Sequence, residues 1–195
     1  MVTFADVEAA GLRLAGHIER TPVITNQGLD ALVGASVYLK AECSQVTGSF
    51  KFRGASNAIA RLSEEERRAG VVAYSSGNHG QAVARAAQLA GSSAVVVMPA
   101  DAPMQKLAAT EAAGARIVRY DRYRQDRVEL ARQIAADEGR TIIPPYDYEP
   151  VIAGQGTVAL ELHEQVPGHH AAAVQADQSD DRTQWGLGPG RRAAS

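Results

Sequence analysis

Between residues 54 and 148 the chain switches its hydrophobic period again and again. Short apolar runs, "VVAYSS", "SAVVVMP", "RIVRYD" and "TIIPPYD", alternate with longer stretches of helical spacing. The short runs read as strands and the stretches between them as helices. Gly70 closes the predicted helix "GASNAIARLSEEERRAG", Gly91 closes "GNHGQAVARAAQLAG" and Gly139 closes "RQDRVELARQIAADEG", since glycine accepts the left-handed turn that ends a helix. "APMQKLAATEAAGA" supplies another helix, after Pro99 stops its strand. Apolar strands joined by crossover helices imply an open parallel sheet with helices on both faces, and right-handed crossovers. The fold class is therefore α/β. Residues 4–19 read as a further helix, with Val7, Leu12, Leu14 and Ile18 on its apolar stripe and Thr21-Pro22 as its stop. "PVITN" and "SVYLKAE" read as short strands. Segments 1–50 and 149–168 carry too few elements to close a sheet and read as parts of a second domain.

Composition removes several function classes. A 45% hydrophobic content supports a packed core, and 20 basic against 22 acidic residues leave no basic face for nucleic acid. No apolar run is long enough to cross a bilayer, and "MVTFADVEAAG" lacks the basic-then-apolar pattern of a secretory leader. The one cysteine, Cys43, forms no internal disulfide and suits a reducing cytoplasm. It reads as structural, having no neighbour to activate its thiol.

Two stretches carry chemistry. In "TGSFKFRGASNA", residues 47–58, Lys51 sits between Phe50 and Phe52 just ahead of a predicted helix. The ordinary reading is a surface lysine. The alternative is an amine desolvated by aromatic neighbours, which makes it a nucleophile. In "AYSSGNHGQAVARAA", residues 73–87, a strand runs into a helix expected to begin near Gly80. Ser75, Ser76, Gly77, Asn78 and His79 form the turn. Small residues let backbone N–H groups approach a ligand, and a helix N-terminus favours an anion. Such a loop falls at the carboxyl end of a strand, where open α/β sheets bind ligands. His79 alone is more often a helix-start residue than a catalyst.

Taken in order, "TGSFKFRGA", "SSGNHGQA", "MP…AP…K", "GA" with "D…DR", "PPYD" and "AGQGTVALEL" resemble the serine/threonine dehydratase family. That family includes serine racemases and 3-hydroxyaspartate dehydratases, pyridoxal 5'-phosphate (PLP) enzymes of fold type II with a tryptophan synthase beta-like architecture. The resemblance covers residues 4 to about 168. It implies that Lys51 holds PLP as a Schiff base and then serves as the base at Cα. It implies that Phe50 packs near the cofactor ring and that Asn78 bonds the ring hydroxyl. Ser75, Ser76, Asn78 and His79 would receive the substrate, and Ser76 would be the second proton-transfer group of racemases. Arg127 matches a substrate-side arginine in some members, whereas Gln155 reads as structural. The implied reaction converts L-threonine or L-serine to a 2-oxo acid and ammonia. Serine racemisation and 3-hydroxyaspartate dehydration are the alternatives within the family. A β-replacement enzyme of the cysteine synthase type fits "SFKFRG" and "SSGNHG" less well. The resemblance also implies a small domain, 54–148, inserted in a large one to which 1–50 and 149–168 belong, and a homodimer for the intact protein.

After "ELHEQVP" the chain departs from the family. "GHHAAAVQADQSDDRTQWGLGPGRRAAS" holds no strand pattern and no contiguous glycine run, so Gly186, Gly188 and Gly190 are not assigned the phosphate site. Residues 169–195 are expected to be a disordered tail, and a frameshift or truncation of a longer gene is the expected origin. The family's divalent-cation ligands are missing from the sequence, so no metal site is expected. The chain is then expected to bind PLP poorly and to have little or no dehydratase activity; the alternative from another class is a non-catalytic fragment.

Overall fold

The computed structural model describes residues 1–168; the expectations for 169–195 lie outside the described residues. Among the described residues six strands form: β1 Val23–Thr25, β2 Tyr38–Lys40, β3 Val71–Tyr74, β4 Ala94–Pro99, β5 Arg116–Tyr120 and β6 Thr141–Ile142. Eight helices accompany them: α1 Phe4–Leu14, α2 Gln27–Val33, α3 Lys51–Ala60, α4 Glu64–Ala69, α5 Asn78–Leu89, α6 Met104–Ala112, α7 Arg127–Glu138 and α8 Glu149–Gln165.

The expected parallel sheet is present, in the order β5-β4-β3-β6 with every pairing parallel. Its inner strands β3 and β4 are buried on both faces, as the unbroken apolar runs required, while the edge strands β5 and β6 are partly exposed. Val71, Ala73, Val96 and Met98 pack with Phe52, Ile59, Val83 and Leu107 on one face. Val72, Tyr74, Val95 and Val97 pack with Tyr120 and Ala131 on the other. Alternation with a period of two divides the helices: α3, α5 and α6 cover the first face and α7 the second. From β3 the chain builds outward to β4 and β5, then returns to β3's other side as β6. The strand order therefore reverses between β3 and β6, and a crevice opens at their carboxyl ends.

The structure corrects several boundaries. The single helix expected over 54–70 is two. Ser63 Oγ accepts from Glu66 N while the Glu66 carboxylate accepts from Ser63 N, a capping box that restarts the chain as α4. The helix expected over 4–19 ends at Leu14, ahead of Gly16 at φ 77°. The strand read in "TIIPPYD" stops at Ile142, because Pro144 and Pro145 have no N–H for a ladder. Helix α2, between the Asn26 cap and Gly34 at φ 74°, went unread. β1 and β2 pair antiparallel as a separate two-stranded ribbon.

Helices α3 and α8 cross in contact because both carry glycine there. A Cβ on Gly154 would lie 2.6 Å from Arg53 O, 2.7 Å from Asn57 Cβ and 2.8 Å from Gly54 Cα. Backbone cannot step aside as a flexible side chain can, so the helices must separate. Gly154→Ala is expected to destabilise the fold by about 1–3 kcal/mol. The check is a lower urea midpoint with unchanged slope; an unshifted midpoint would mean the crossing is not tight. Asn57 adds a polar tie, accepting from Arg13 of α1 at 2.6 Å and donating to Pro150 O at 2.6 Å. A groove of about 500 Å³ between α1 and α8, lined by Leu12, Ile18 and Leu160, is remote from the crevice.

Candidate active site

Lys51 is the first residue of α3, not a loop residue before it, and it is buried at 8% exposure. Its amine lies 4.9 Å from the centroid of the Phe50 ring and donates to Pro145 O at 3.2 Å. Pro145 lies just beyond β6. The amine thus sits at the crevice between β3 and β6.

The β3–α5 loop forms the other wall. Ser75 N donates the last ladder bond to Val97 O, and Gly77 N turns back onto Ser75 Oγ at 3.2 Å. α5 then begins at Asn78, two residues earlier than expected, with no side-chain cap on its first turn. Gly80 permits this: a Cβ there would lie 2.7 Å from Ser75 O and 2.9 Å from Val96 Cγ1. Ser75 is buried, while Ser76 and Asn78 are half-buried at the mouth. The uncapped first turn presents the positive end of a helix dipole to the crevice.

His79 points inward and is 2% exposed. Its Nε2 lies 2.9 Å from Ile143 O. A carbonyl only accepts, so Nε2 carries the proton and Nδ1 is a bare acceptor. Burial pushes the imidazole from 6.5 down to about 4, the Lys51 charge adds to that shift, and the Ile143 carbonyl opposes it. Between those values the unfolded chain binds more protons than the folded one. Stability should therefore be complete above pH 6.5 and fall by up to about 3 kcal/mol as pH drops toward 4. Denaturant midpoints measured from pH 7 to 4 test this. His79→Gln should flatten that part of the profile, and an equally steep profile would assign the titration elsewhere.

Thr47 Oγ1, Ser49 Oγ and His79 Nδ1 are buried without a partner. These orphaned polar atoms flank the lysine in sequence or in space and suit a polar ligand at the amine. Arg127 is placed differently. Its guanidinium stacks 6.0 Å from the Tyr74 ring, on the face opposite α3 and α5. Gln155 packs over Gly54 on α8.

The sequence reading missed the network behind the lysine. Arg53 is fully buried. It donates to Glu42 at 2.8 Å through Nε and Nη2, and to Glu161 at 2.7 and 2.9 Å. Lys40 donates to Glu161 at 2.6 Å and to Thr21 O at 2.7 Å. The available signal was an arginine two residues after the lysine, inside the apolar face of a helix. Among the described residues no group of three His, Cys, Asp or Glu side chains is placed to hold a metal ion.

The site thus sets a buried amine at the β3–β6 switch point, on the same side as the first turn of α5. Residues 14–176 match the family model described as pyridoxal-phosphate dependent enzyme. The chain belongs to that family, and its α/β architecture is that of fold type II. It is 51% identical over 164 residues to L-threo-3-hydroxyaspartate ammonia-lyase of Saccharomyces cerevisiae, covering 84% of this chain and 50% of that protein. It is 43% identical to L-threonine ammonia-lyase of Thermotoga maritima, covering 89% of this chain and 43% of the relative. The crystal structure of serine racemase from Dictyostelium discoideum superposes with a TM-score of 0.81 at 44% identity, covering 85% of this chain and 54% of that one. The chain thus spans about half the length of these relatives. Lyases and a racemase stand side by side among them, so the comparisons do not single out threonine or serine as substrate.

Proposed function

We propose that this chain carries the lysine site of a PLP-dependent ammonia-lyase acting on a small 3-hydroxy amino acid. The observation that carries the reading is the buried Lys51 amine, held 3.2 Å from Pro145 O at the β3–β6 crevice. Lys51 would hold the cofactor, with Phe50 against its ring, Asn78 toward its ring hydroxyl and Ser49 Oγ and His79 Nδ1 as unpaired polar atoms nearby. When bound, PLP supplies an electron sink for the carbanion formed at Cα. Lys51 Nζ, freed when the substrate amine takes its place, would take the Cα proton as general base. The Cβ hydroxyl departs as water, and a second water is consumed as ammonia and a 2-oxo acid are released. The first turn of α5, with Ser75, Ser76, Asn78 and the His79 backbone, binds the substrate carboxylate.

Threonine and serine are the substrates first expected from sequence. The 51% identity to a hydroxyaspartate lyase gives L-threo-3-hydroxyaspartate equal standing. A second reading is racemisation, favoured by the 44% identity to a serine racemase, in which the Ser76 hydroxyl would return the proton. Residues 54–148 are the smaller α/β domain on this reading, and 1–50 with 149–168 belong to a larger one. A homodimer and a cytoplasmic setting complete the proposal. Among the described residues no helix is long and apolar enough to cross a membrane.

The test supplies the purified chain with PLP and each of the three hydroxy amino acids, and follows ammonia, 2-oxo acid and D-amino acid. Ammonia with equimolar 2-oxo acid supports the lyase. D-serine alone supports the racemase, and no product from any of them removes catalysis from this chain.

A further inference from the structure

The β6 edge of the crevice is weakly held by its own backbone. β6 is two residues long, and beside the pairing of Val71 with Thr141 and Val72 with Ile142 its flanks are tied to β3 by Thr141 N to Gly70 O and Ile143 N to Val72 O. Beyond Ile143 come Pro144 and Pro145, which have no N–H to extend the ladder, and then Asp147 at φ 52°. Yet this segment carries the carbonyl that receives the Lys51 amine. Something other than sheet pairing must hold it.

His79 is placed to do so. It is the second residue of α5, on the opposite wall, and its Nε2–H reaches Ile143 O at 2.9 Å across a separation of 64 residues. Each proline restricts φ to a narrow range, so the Ile143–Pro145 segment is stiff, and the position of the Ile143 carbonyl is passed on to the Pro145 carbonyl. A residue needed only for packing would be served by an apolar ring. Here a polar ring is buried with one nitrogen bonded and the other unpartnered, an arrangement that costs stability unless the donor is needed.

We infer that His79 is a positioning residue: its Nε2–H ties α5 to the segment after β6 and so sets where Pro145 presents its carbonyl to the Lys51 amine. The consequence for Lys51 rests on the proposed role of that amine; the tie itself does not.

The test compares His79→Gln, whose Nε2–H reaches a similar point, with His79→Phe, which fills the space without a donor. Hydrogen exchange followed by mass spectrometry reads Ile143, Tyr146 and Asp147 against residues 82–89 of α5. In His79→Phe the first group should exchange about tenfold faster while α5 stays protected, and His79→Gln should match the parent. If His79→Phe does not fold, His79→Asn, which shortens the donor, takes its place. In parallel each protein is incubated with PLP and reduced with borohydride. The ratio of label on Lys51 to label on Lys106 should fall several-fold in the donor-less variant and recover in His79→Gln. Unchanged exchange in His79→Phe overturns the inference. So does equal loss in Gln and Phe, which would make the role one of packing. If the parent shows no preference for Lys51 while the exchange pattern appears, the tie stands and the lysine role fails.

Discussion

Replacing Lys51 with alanine is expected to remove the reducible PLP adduct from position 51 and to lower any ammonia release by on the order of 10⁴-fold. The amine is buried, lies over the Phe50 ring and is bonded to Pro145 O. No other described lysine shares this setting. Lys40 is engaged with Glu161, Thr21 and Gln165, and Lys106 lies on α6. Borohydride reduction, digestion and mass spectrometry of the parent should find label concentrated on Lys51. Label spread evenly over Lys40, Lys51 and Lys106 would reduce the site to inherited sequence. Selective labelling would show that a chain of half the relatives' length still assembles the amine's pocket. The expectation drawn from sequence was poor cofactor binding, so the stoichiometry of labelling decides that point as well.

Arg53→Met should cost about 3–5 kcal/mol, because it strips the cation from two acidic partners and leaves them largely buried. Glu42 and Glu161 have side chains only 12% and 15% exposed. Burial raises the Glu161 carboxyl, but hydrogen bonds from Arg53 and Lys40 outweigh it and hold the group below its usual 4.5. The Arg53 guanidinium shows the reciprocal balance: burial lowers it, and Glu161 and Glu42 raise it further than burial lowers it. For a carboxyl with a depressed folded value, the stabilisation is complete above the unfolded value. It is lost as pH falls through the folded one. The gap in unfolding free energy between parent and Arg53→Met should thus be widest near neutrality and narrow below pH 4.5. Urea titrations at pH 7 and pH 3.5 measure it. A gap that stayed constant would mean the loss is packing, not charge. The window differs from that of His79, whose contribution fades between 6.5 and 4.

Much of the fold was readable because its signals are local. Strand runs followed by glycine-closed helices announced the parallel sheet, and β3, β4 and β5 fall where the apolar runs lie. The split of α3 from α4 was hidden by continuous helical periodicity, although "SEEE" held the capping box. Helix α2 was missed because seven residues give too little periodicity to stand out from a loop. At the site, Lys51 could be picked from its aromatic neighbours, and the β3–α5 loop from its small residues. Their meeting point could not. Pro145 O, Ile143 O and the Arg53–Glu161 pair are contacts across 94, 64 and 108 residues, and no periodicity encodes contacts at that range. Backbone carbonyls, moreover, are the same whatever side chain they accompany. Arg127 shows the converse: its place in a motif was plain, and its stacking on Tyr74 came only with the fold.

The crossing of α3 on α8 also sets an order of events during synthesis. Arg53 leaves the ribosome 108 residues before Glu161. At roughly 5–20 residues per second, its second carboxylate follows on the order of ten seconds later. Through that interval the helix that starts with Lys51 has neither the glycine face of α8 to rest on nor a full set of anions for its guanidinium. The parallel sheet can form in the meantime, since its strands are complete by residue 142. The nascent chain can therefore form its sheet before α8 is there to support the helix that starts with Lys51. Closing so long a loop is slow, and refolding monitored at Lys51 should lag behind refolding monitored at the sheet.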